Sequence, residues 1–518
     1  MKQLPGAPNL AHLKKQAKDL RRGYGRDEPE AVARVAAILP DHRRTALRLS
    51  DAQRVVAREY GFASWPALKT LVEWKSTERQ GRTEALRVWF AWVFGAGFQS
   101  ARPSLARKRL EEGLPVTDGD EEALWVACAV GNEAALRDKL SADLTVVRKR
   151  RGDDGMTPLL AVTHSCFTRD DLFAAALERC AELLIAHGAD PNEAWIDPAF
   201  PDGRLSALYG AAGRNHVAGM TRLLLRHGAN PNDNESLYHS VESTDLTCTK
   251  LLLEGGARVS GSNALARVLD FDRIEGLRLL LAHGGDANER WPGKSLLFHA
   301  IRRGRSIDHV RLLLAHGADV NVVDADGLTP FRYALRYGMP EVAALLRGAR
   351  DQGSMTTEEA FVVACACADR AEALRLSAGA PGLFERLTEQ DLRLLPDLAA
   401  QGNLPAVQVM VGVGWPISVR GGDWDASALN HAVFGGNAEM VGYLLDHGAS
   451  WEERHGFDDN AMGTLSFASR NSSPDSGARG DWVGCARVLI AHGMPVPPPE
   501  YAFSEEVAEY FDGLDDAD

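Results

Sequence analysis

Residues 312–347 read LLLAHGADVNVVDADGLTPFRYALRYGMPEVAALLR, and this stretch decides how the rest of the chain is read. Leu312 to Leu314, followed by His316 and Gly317, has the form of a helix end. There a cationic side chain complements the helix dipole and Gly takes the left-handed cap. Ala318 to Gly327 is a polar hairpin, and Thr329-Pro330 opens the next helix. Weaker copies of this unit recur along most of the 518 residues, with starts near Thr157, Ser206, Glu235, Asn263, Ser295 and Thr329. One such unit cannot bury its apolar face alone. Neighbours therefore stack into an elongated solenoid with an exposed concave groove, and function is expected along that groove.

Thr329, Pro330, Phe331 and Ala334 fit TPLHxA, and Leu312 to Leu314, Gly317, Ala318, Asp319, Val320 and Asn321 fit LLLxxGADVN. With these motifs the chain resembles the ankyrin-repeat family, in a bacterial-type array with an extra amino-terminal helical domain. The resemblance covers roughly residues 84–500 and is most specific at 157–192, 206–232 and 295–347. It implies an all-α fold, an ankyrin-repeat solenoid of stacked helix pairs with short hairpins, acting as a non-enzymatic binding module for another protein. It implies no cofactor and no metal. The chain departs from the family at the histidine of TPLHxA. That position holds Leu160, Tyr209, Tyr238, Ala266, Phe298, Arg332, Asn430 and Ser466, while His239, Arg267, His299 and His431 stand one residue later. Other polar pairs are expected to tie the units together.

Five segments follow. Residues 1–80 form a basic helical domain, 84–349 a front stack, 350–356 a joint (GARDQGSM, residues 348–355, breaks the repeat), 357–503 a rear stack and 504–518 an acidic cap. The unit at Thr157 carries an insertion at 167–171 and a long hairpin at 192–202, and a polar insertion covers 472–481. Solenoid insertions fall on one face, often the binding face.

An apolar fraction of 45% with 25% charge is that of a folded protein, here with its core distributed along an axis. No run of 18 apolar residues occurs, and the start MKQLPGAPNLAHLKKQ lacks a signal peptide's apolar stretch, so a cytoplasmic protein is expected. The seven cysteines form no CxxC and sit in helical contexts, as core residues of a reducing compartment do. Residues 1–80 carry 6 Lys and 10 Arg against 4 Asp and 5 Glu, a net +7, which leaves −20 for the remainder of a chain of net charge −13. A basic head and an acidic array attract each other, or the head meets nucleic acid. Ala57, Gly61 and Phe62 have the spacing of a helix-turn-helix corner, but the next helix starts Ser64-Trp65-Pro66 rather than with base-reading residues. The head therefore reads as a cap on the stack, with nucleic acid an alternative.

HExxH, GxxxxGK[ST], GxSxG and a strand-borne GxGxxG are all missing. His187, His227, His283, His316, His447 and His492 precede a Gly at helix ends and follow the repeat. Two clusters depart from a plain scaffold. The first is Asn232, Asn234, Glu235, Tyr238 and His239. The second joins Asp423, Trp424, Asn430 and His431 to His455, Asn460, Thr464, Ser466, Arg470 and Asn471 of the following unit. Asn, Asp and Ser also cap helices and turns, so a structural role stands beside a binding one. Trp195, Trp291, Trp424 and Trp451 fall in hairpins or the insertion, where they read as anchors of a contact strip. Arg302, Arg303, Arg305, Arg332 and Arg336 make a basic patch for an acidic peptide or phosphate, or a solvated helix face. The alternative to protein binding is a small-molecule or catalytic pocket built from Asp423, Asn430, His431 and His455.

Overall fold

The computed structural model describes every residue except 1, 6–7, 40–46, 48, 63–64, 66–67, 70, 73–74, 76–80, 96–100, 118–119, 153–154, 198–202, 292, 349–352, 472–479, 499–500 and 515–518. Most of the helix-turn-helix candidate's second helix, part of the joint and most of the rear insertion thus lie outside the described residues.

The described chain is a helical solenoid with two short antiparallel hairpins, Ala194–Ile196 with Arg204–Ser206 and Arg420–Gly421 with Ala426–Ser427. Several units start where the sequence offers a hydroxyl cap. The Oγ atoms of Thr157, Ser206, Thr329 and Ser427 accept from the backbone N–H three residues on, at 3.5, 2.8, 3.3 and 3.4 Å. Pro158 and Pro330 fill the first helical position, where no N–H is needed. The resulting inner helices include Pro158–His164, Leu296–Arg302, Pro330–Arg336 and Ala428–Phe434, each followed by an outer helix such as Ile307–Ala315 or Ala438–Asp446.

The outer helices supply the core. Leu184, Leu224, Leu252, Leu280, Leu313 and Leu444 are fully buried, each worth roughly 1.5–3 kcal/mol of burial. At the helix ends, Nδ1 of His187, His283, His447 and His492 lies 2.7–2.8 Å from the carbonyl oxygen four residues back. The Gly after His187 has φ +95°, which a side chain would strain. The repeat asparagines then couple the hairpins. Nδ2 of Asn192, Asn232 and Asn288 donates to the carbonyls of Gly228, Gly256 and Gly317 at 3.1, 3.2 and 2.9 Å. Their Oδ1 atoms accept the N–H groups of Asn230, Arg258 and Asp319.

The insertion at 167–171 turns inward instead of lining a binding face. Cys166–Arg169 is a single tight turn whose Phe167 is fully buried against Phe173, 4.8 Å between rings. Across the joint packing is continuous. Pro330–Arg336 lies on Thr357–Ala366, and Arg332 bonds Glu359 at 3.0 Å and the Gly353 carbonyl at 3.0 Å.

The head packs Leu10–Gly25, Pro29–Ile38 and Leu49–Glu59 together, with Glu59 held by Arg34 and Lys2 at 2.6 Å each. It sits on the first unit, where Lys108 Nζ lies 3.2 Å from the Phe62 ring centre. It also meets the end of the chain: Leu49–Glu59 packs on Glu505–Asp512, and Arg54 lies 3.3 Å from Glu509. Basic head and acidic tail are in contact, so the array's two ends converge. Among the described residues no helix is long and apolar enough to cross a membrane.

Candidate functional site

Two inner-helix positions three residues apart line one strip of the array. In six of the inner helices they are His239 and Glu242, Arg267 and Asp270, His299 and Arg302, Tyr333 and Arg336, His431 and Phe434, Phe467 and Arg470. Positions i and i+3 share a helix face, so successive units bring these side chains into one line. The residues standing one place after the missing family histidine are the first members of these pairs.

In the front stack the strip is charged and closed on itself. His239 sits between Glu242, 2.7 Å from its Nδ1, and Glu235, 3.3 Å from its Nε2. Burial alone would push this imidazole down, but the two carboxylates outweigh it and raise its pKa. Glu242 also takes Arg267 at 2.6 Å, which lies over the Tyr238 ring at 5.0 Å. Asp270 then receives His299 Nε2 at 2.9 Å and Arg303 at 2.7 Å. Of the first cluster, Asn232 belongs to the hairpin ladder, and Asn234 is exposed with φ +73° in its turn. Glu235, Tyr238 and His239 thus do come together, beside a cleft of about 330 Å³ also lined by Asn192, Arg204 and Asp233.

The basic patch is neutralised within the chain rather than open to a ligand. Arg302 reaches Asp423 at 2.6 Å and Asp397 at 3.4 Å, and Arg303 reaches the other Asp423 oxygen at 2.6 Å. Arg305 pairs with Asp272, Arg332 with Glu359 and Arg336 with Asp391. The physical reason is curvature: the turning stack brings the rear hairpin at 420–427 onto the front unit's inner helix. Burial alone would raise the Asp423 carboxyl, but Arg303 and Arg302 overcome it and hold it at about 2. Asp397 also accepts from Tyr337 Oη at 2.6 Å, and Tyr337 takes the Tyr333 hydroxyl at 3.2 Å.

In the second cluster Asn430 is fully buried and cross-links three segments. Its Nδ2 donates to Ser427 Oγ at 3.2 Å and the Glu453 carbonyl at 2.9 Å, and its Oδ1 accepts from Thr464 Oγ1 at 2.9 Å. His431 Nε2 lies 3.3 Å from the Gly421 carbonyl, and burial pushes this imidazole down. His455 Nδ1 accepts from the Phe457 N–H at 3.3 Å, and burial lowers it too. Asn460 caps Met462, and Ser466 bonds the Ala502 carbonyl. These polar groups hold one unit to the next. The unit interface expected to join them does so, but each engages its own fold.

The tryptophans pack against the array more than they project from it. Trp195 is 8% exposed and donates Nε1–H to His164 Nε2 at 3.4 Å, while Trp291 and Trp451 are half-buried against the core. Trp424 is half-buried between His431 and His455, 4.8 and 4.9 Å between rings. The hairpins are short enough that their rings fold back over the neighbouring unit. The exposed aromatics are phenylalanines that the sequence reading passed over: Phe434, Phe457 and Phe467, at 46, 77 and 38%. Phe434 stacks on Phe467 at 6.3 Å and touches Trp424 at 5.7 Å, and Phe457 adjoins His455 at 6.1 Å. Their signal was positional: Phe434 stands where Glu242, Asp270, Arg302 and Arg336 do, and Phe467 where His239, Arg267 and His299 do. Arg470 lies one turn beyond Phe467, its Nε donating to the Ser466 carbonyl at 3.1 Å. Burial and the nearby Arg102 charge lower its pKa.

All seven cysteines are free thiols, and among the described residues no group of His, Cys, Asp and Glu is arranged to hold a metal ion.

A family model described as "Ankyrin repeats (3 copies)" matches residues 265–355. Among solved structures, the human ASB11 ankyrin repeat domain is 18% identical, over 43% of this chain and 97% of that one, with a TM-score of 0.34. The ankyrin repeat domain of Bcl-3, described as a unique member of the IkappaB protein family, is 24% identical over 45% of this chain and 100% of that one, with a TM-score of 0.37. No curated protein sequence matches the chain.

Proposed function

We propose that this chain, which carries ankyrin repeats across residues 265–355, is a protein-binding module whose partner docks on the inner strip of the rear units. Ankyrin repeats in general are protein-protein interaction modules. The observation that carries the placement is the row Phe457, Trp424, Phe434 and Phe467, whose three phenylalanines are exposed while the charged positions of the front strip are occupied by ion pairs. Exposed aromatics in a row are costly to leave in water and supply the rigid apolar anchors that dominate interfaces. Around them Asp423, Asn430, His431, His455 and Asn460 set the surface from beneath. The charged front cluster, with Asn234, Glu235, Tyr238 and His239, serves as a rigid support, and Trp291 lies half-buried in a later hairpin. Free thiols throughout suit a reducing compartment such as the cytoplasm.

Affinity capture from host lysate tests this, comparing the wild-type chain with a Phe434→Ser/Phe457→Ser variant whose circular dichroism is unchanged. Proteins enriched on wild type and lost from the variant are the expected result. Equal retention by both moves the interface off the rear units, and no enriched protein on either overturns the binding-module reading.

A further inference from the structure

Charged positions of the strip are answered by an opposite charge, until the last unit. Glu242 is answered by Arg267, Asp270 by His299 and Arg303, Arg302 by Asp423, and Arg336 by Asp391. Arg470 holds the equivalent position in the final inner helix, Ala461–Asn471, and among the described residues no carboxylate lies within ion-pair distance of it. Among the described residues its one hydrogen bond is to the Ser466 carbonyl of its own helix, which leaves most of its five donors for another acceptor. The charge is half-buried, desolvated and crowded by Arg102, each of which makes a new carboxylate more favourable. Three residues before it on the same helix is the exposed ring of Phe467, on which Phe434 stacks.

We propose that the rear strip recognises a linear segment of a partner protein in which an apolar side chain covers Phe434 and Phe467 and a nearby Asp or Glu pairs with Arg470. This rests on the binding-module reading and adds the chemistry of the partner. Alternate residues of an extended segment point the same way and lie about 6.6 Å apart, close to the spacing of one helical turn between Phe467 and Arg470. An acid two positions from the anchor therefore fits. The complementary charge is local: Arg470 is half-buried near the Arg102 charge, with no carboxylate within ion-pair distance among the described residues.

Selection of 12-residue displayed peptides on the full-length chain tests the proposal, with Arg470→Glu and Phe434→Ser/Phe467→Ser chains, checked by circular dichroism, as counter-targets. The expected result is enrichment of peptides pairing an aromatic or aliphatic residue with Asp or Glu about two positions away. Synthetic copies of these, followed by fluorescence anisotropy, should bind Arg470→Glu at least about tenfold more weakly, as loss of one charge-assisted pair implies. Substituting Lys for the peptide's acid should recover binding to Arg470→Glu, which a merely structural role for Arg470 would not do. Enriched peptides without an acid, or peptides binding all three chains equally, overturn the proposal while leaving the binding-module reading in place. No enrichment on wild type overturns the linear-segment chemistry, and the lysate capture then judges the broader reading separately.

Discussion

Replacing Asp423 by Asn should loosen the rear hairpin from the front stack without unfolding the array. The carboxylate makes two bonds of 2.6 Å, one to each of two arginines that are only 21 and 28% exposed, while it is itself 46% exposed. A carboxyl held at about 2 instead of 3.8 corresponds to roughly 2.4 kcal/mol of coupling, and its half-exposure to water reduces that to about 1–1.5 kcal/mol. Both arginines keep a second acid, Asp397 and Asp270, so neither is left as an isolated buried charge. In a repeat array energy is shared mainly between neighbouring units, so the loss stays local. Hydrogen exchange read by mass spectrometry should show protection in 420–434 falling about tenfold, since each 1.4 kcal/mol is a decade, with Ala174–Ala186 unchanged. The sign with pH follows from the depressed carboxyl: the wild-type contribution is present above 3.8 and is lost as pH falls through about 2. The variant should lack that acid-dependent component. Protection unchanged in 420–434, or reduced evenly along the chain, would falsify the clamp.

Other perturbations test other links. Gly210→Ala would place a Cβ 2.6 Å from Nδ1 of the fully buried His164, costing about 1–3 kcal/mol by overpacking, and His164→Ala in the same chain should recover part of the lost melting temperature. His239 is raised above 6.5, so its contribution is complete below that pH and lost as pH rises through its folded value. Its partner Glu242 is lowered from 4.5 and loses its contribution as pH falls. Exchange protection in Ser236–Ser240 should therefore be greatest in mildly acidic buffer and fall in alkali, with His239→Gln removing the alkaline loss. Arg54→Glu should raise exchange in Glu505–Asp512 by a small factor, for a surface pair worth at most about 1 kcal/mol, and Glu509→Arg in the same chain should reverse it. Loss confined to the head in that experiment would sever the two ends from each other.

The repeat was legible because its signals are local. Caps, helix-ending His-Gly pairs and hairpin asparagines each act within one unit or reach only the next, so their spacing alone carries them. The basic patch failed for the opposite reason. Arg302 meets an acid 121 positions away, a distance no motif spans, and the pairing depends on how tightly the stack turns. The burial of Trp195 was hidden by an assumption about hairpin tips: it has a core to enter because its hairpin folds back over His164. Phe434 and Phe467 were within reach of the sequence once the inner helices are aligned, since Phe434 then stands where Glu242, Asp270, Arg302 and Arg336 do, and Phe467 where His239, Arg267 and His299 do.

That change along the strip also separates support from recognition. A charged side chain on the front units is matched by another of opposite sign on the same rigid face, and a surface whose charges are already paired offers a ligand little, because any new contact must first replace an existing one. The rear end offers partly exposed apolar rings and an arginine that lacks an acid among the described residues, so a partner there has fewer ion pairs to replace. The Asp423 clamp joins these two regimes, since it fixes the hairpin carrying Trp424, and Trp424 backs Phe434. Binding at the rear should accordingly weaken in Asp423→Asn even though Asp423 touches no partner, and it should weaken through faster dissociation, because a loosened anchor shortens residence more than it slows encounter. A surface-plasmon measurement on one enriched peptide separates the cases: an unchanged off-rate with a reduced on-rate would mean that Asp423 acts through long-range charge, not through the position of the rings.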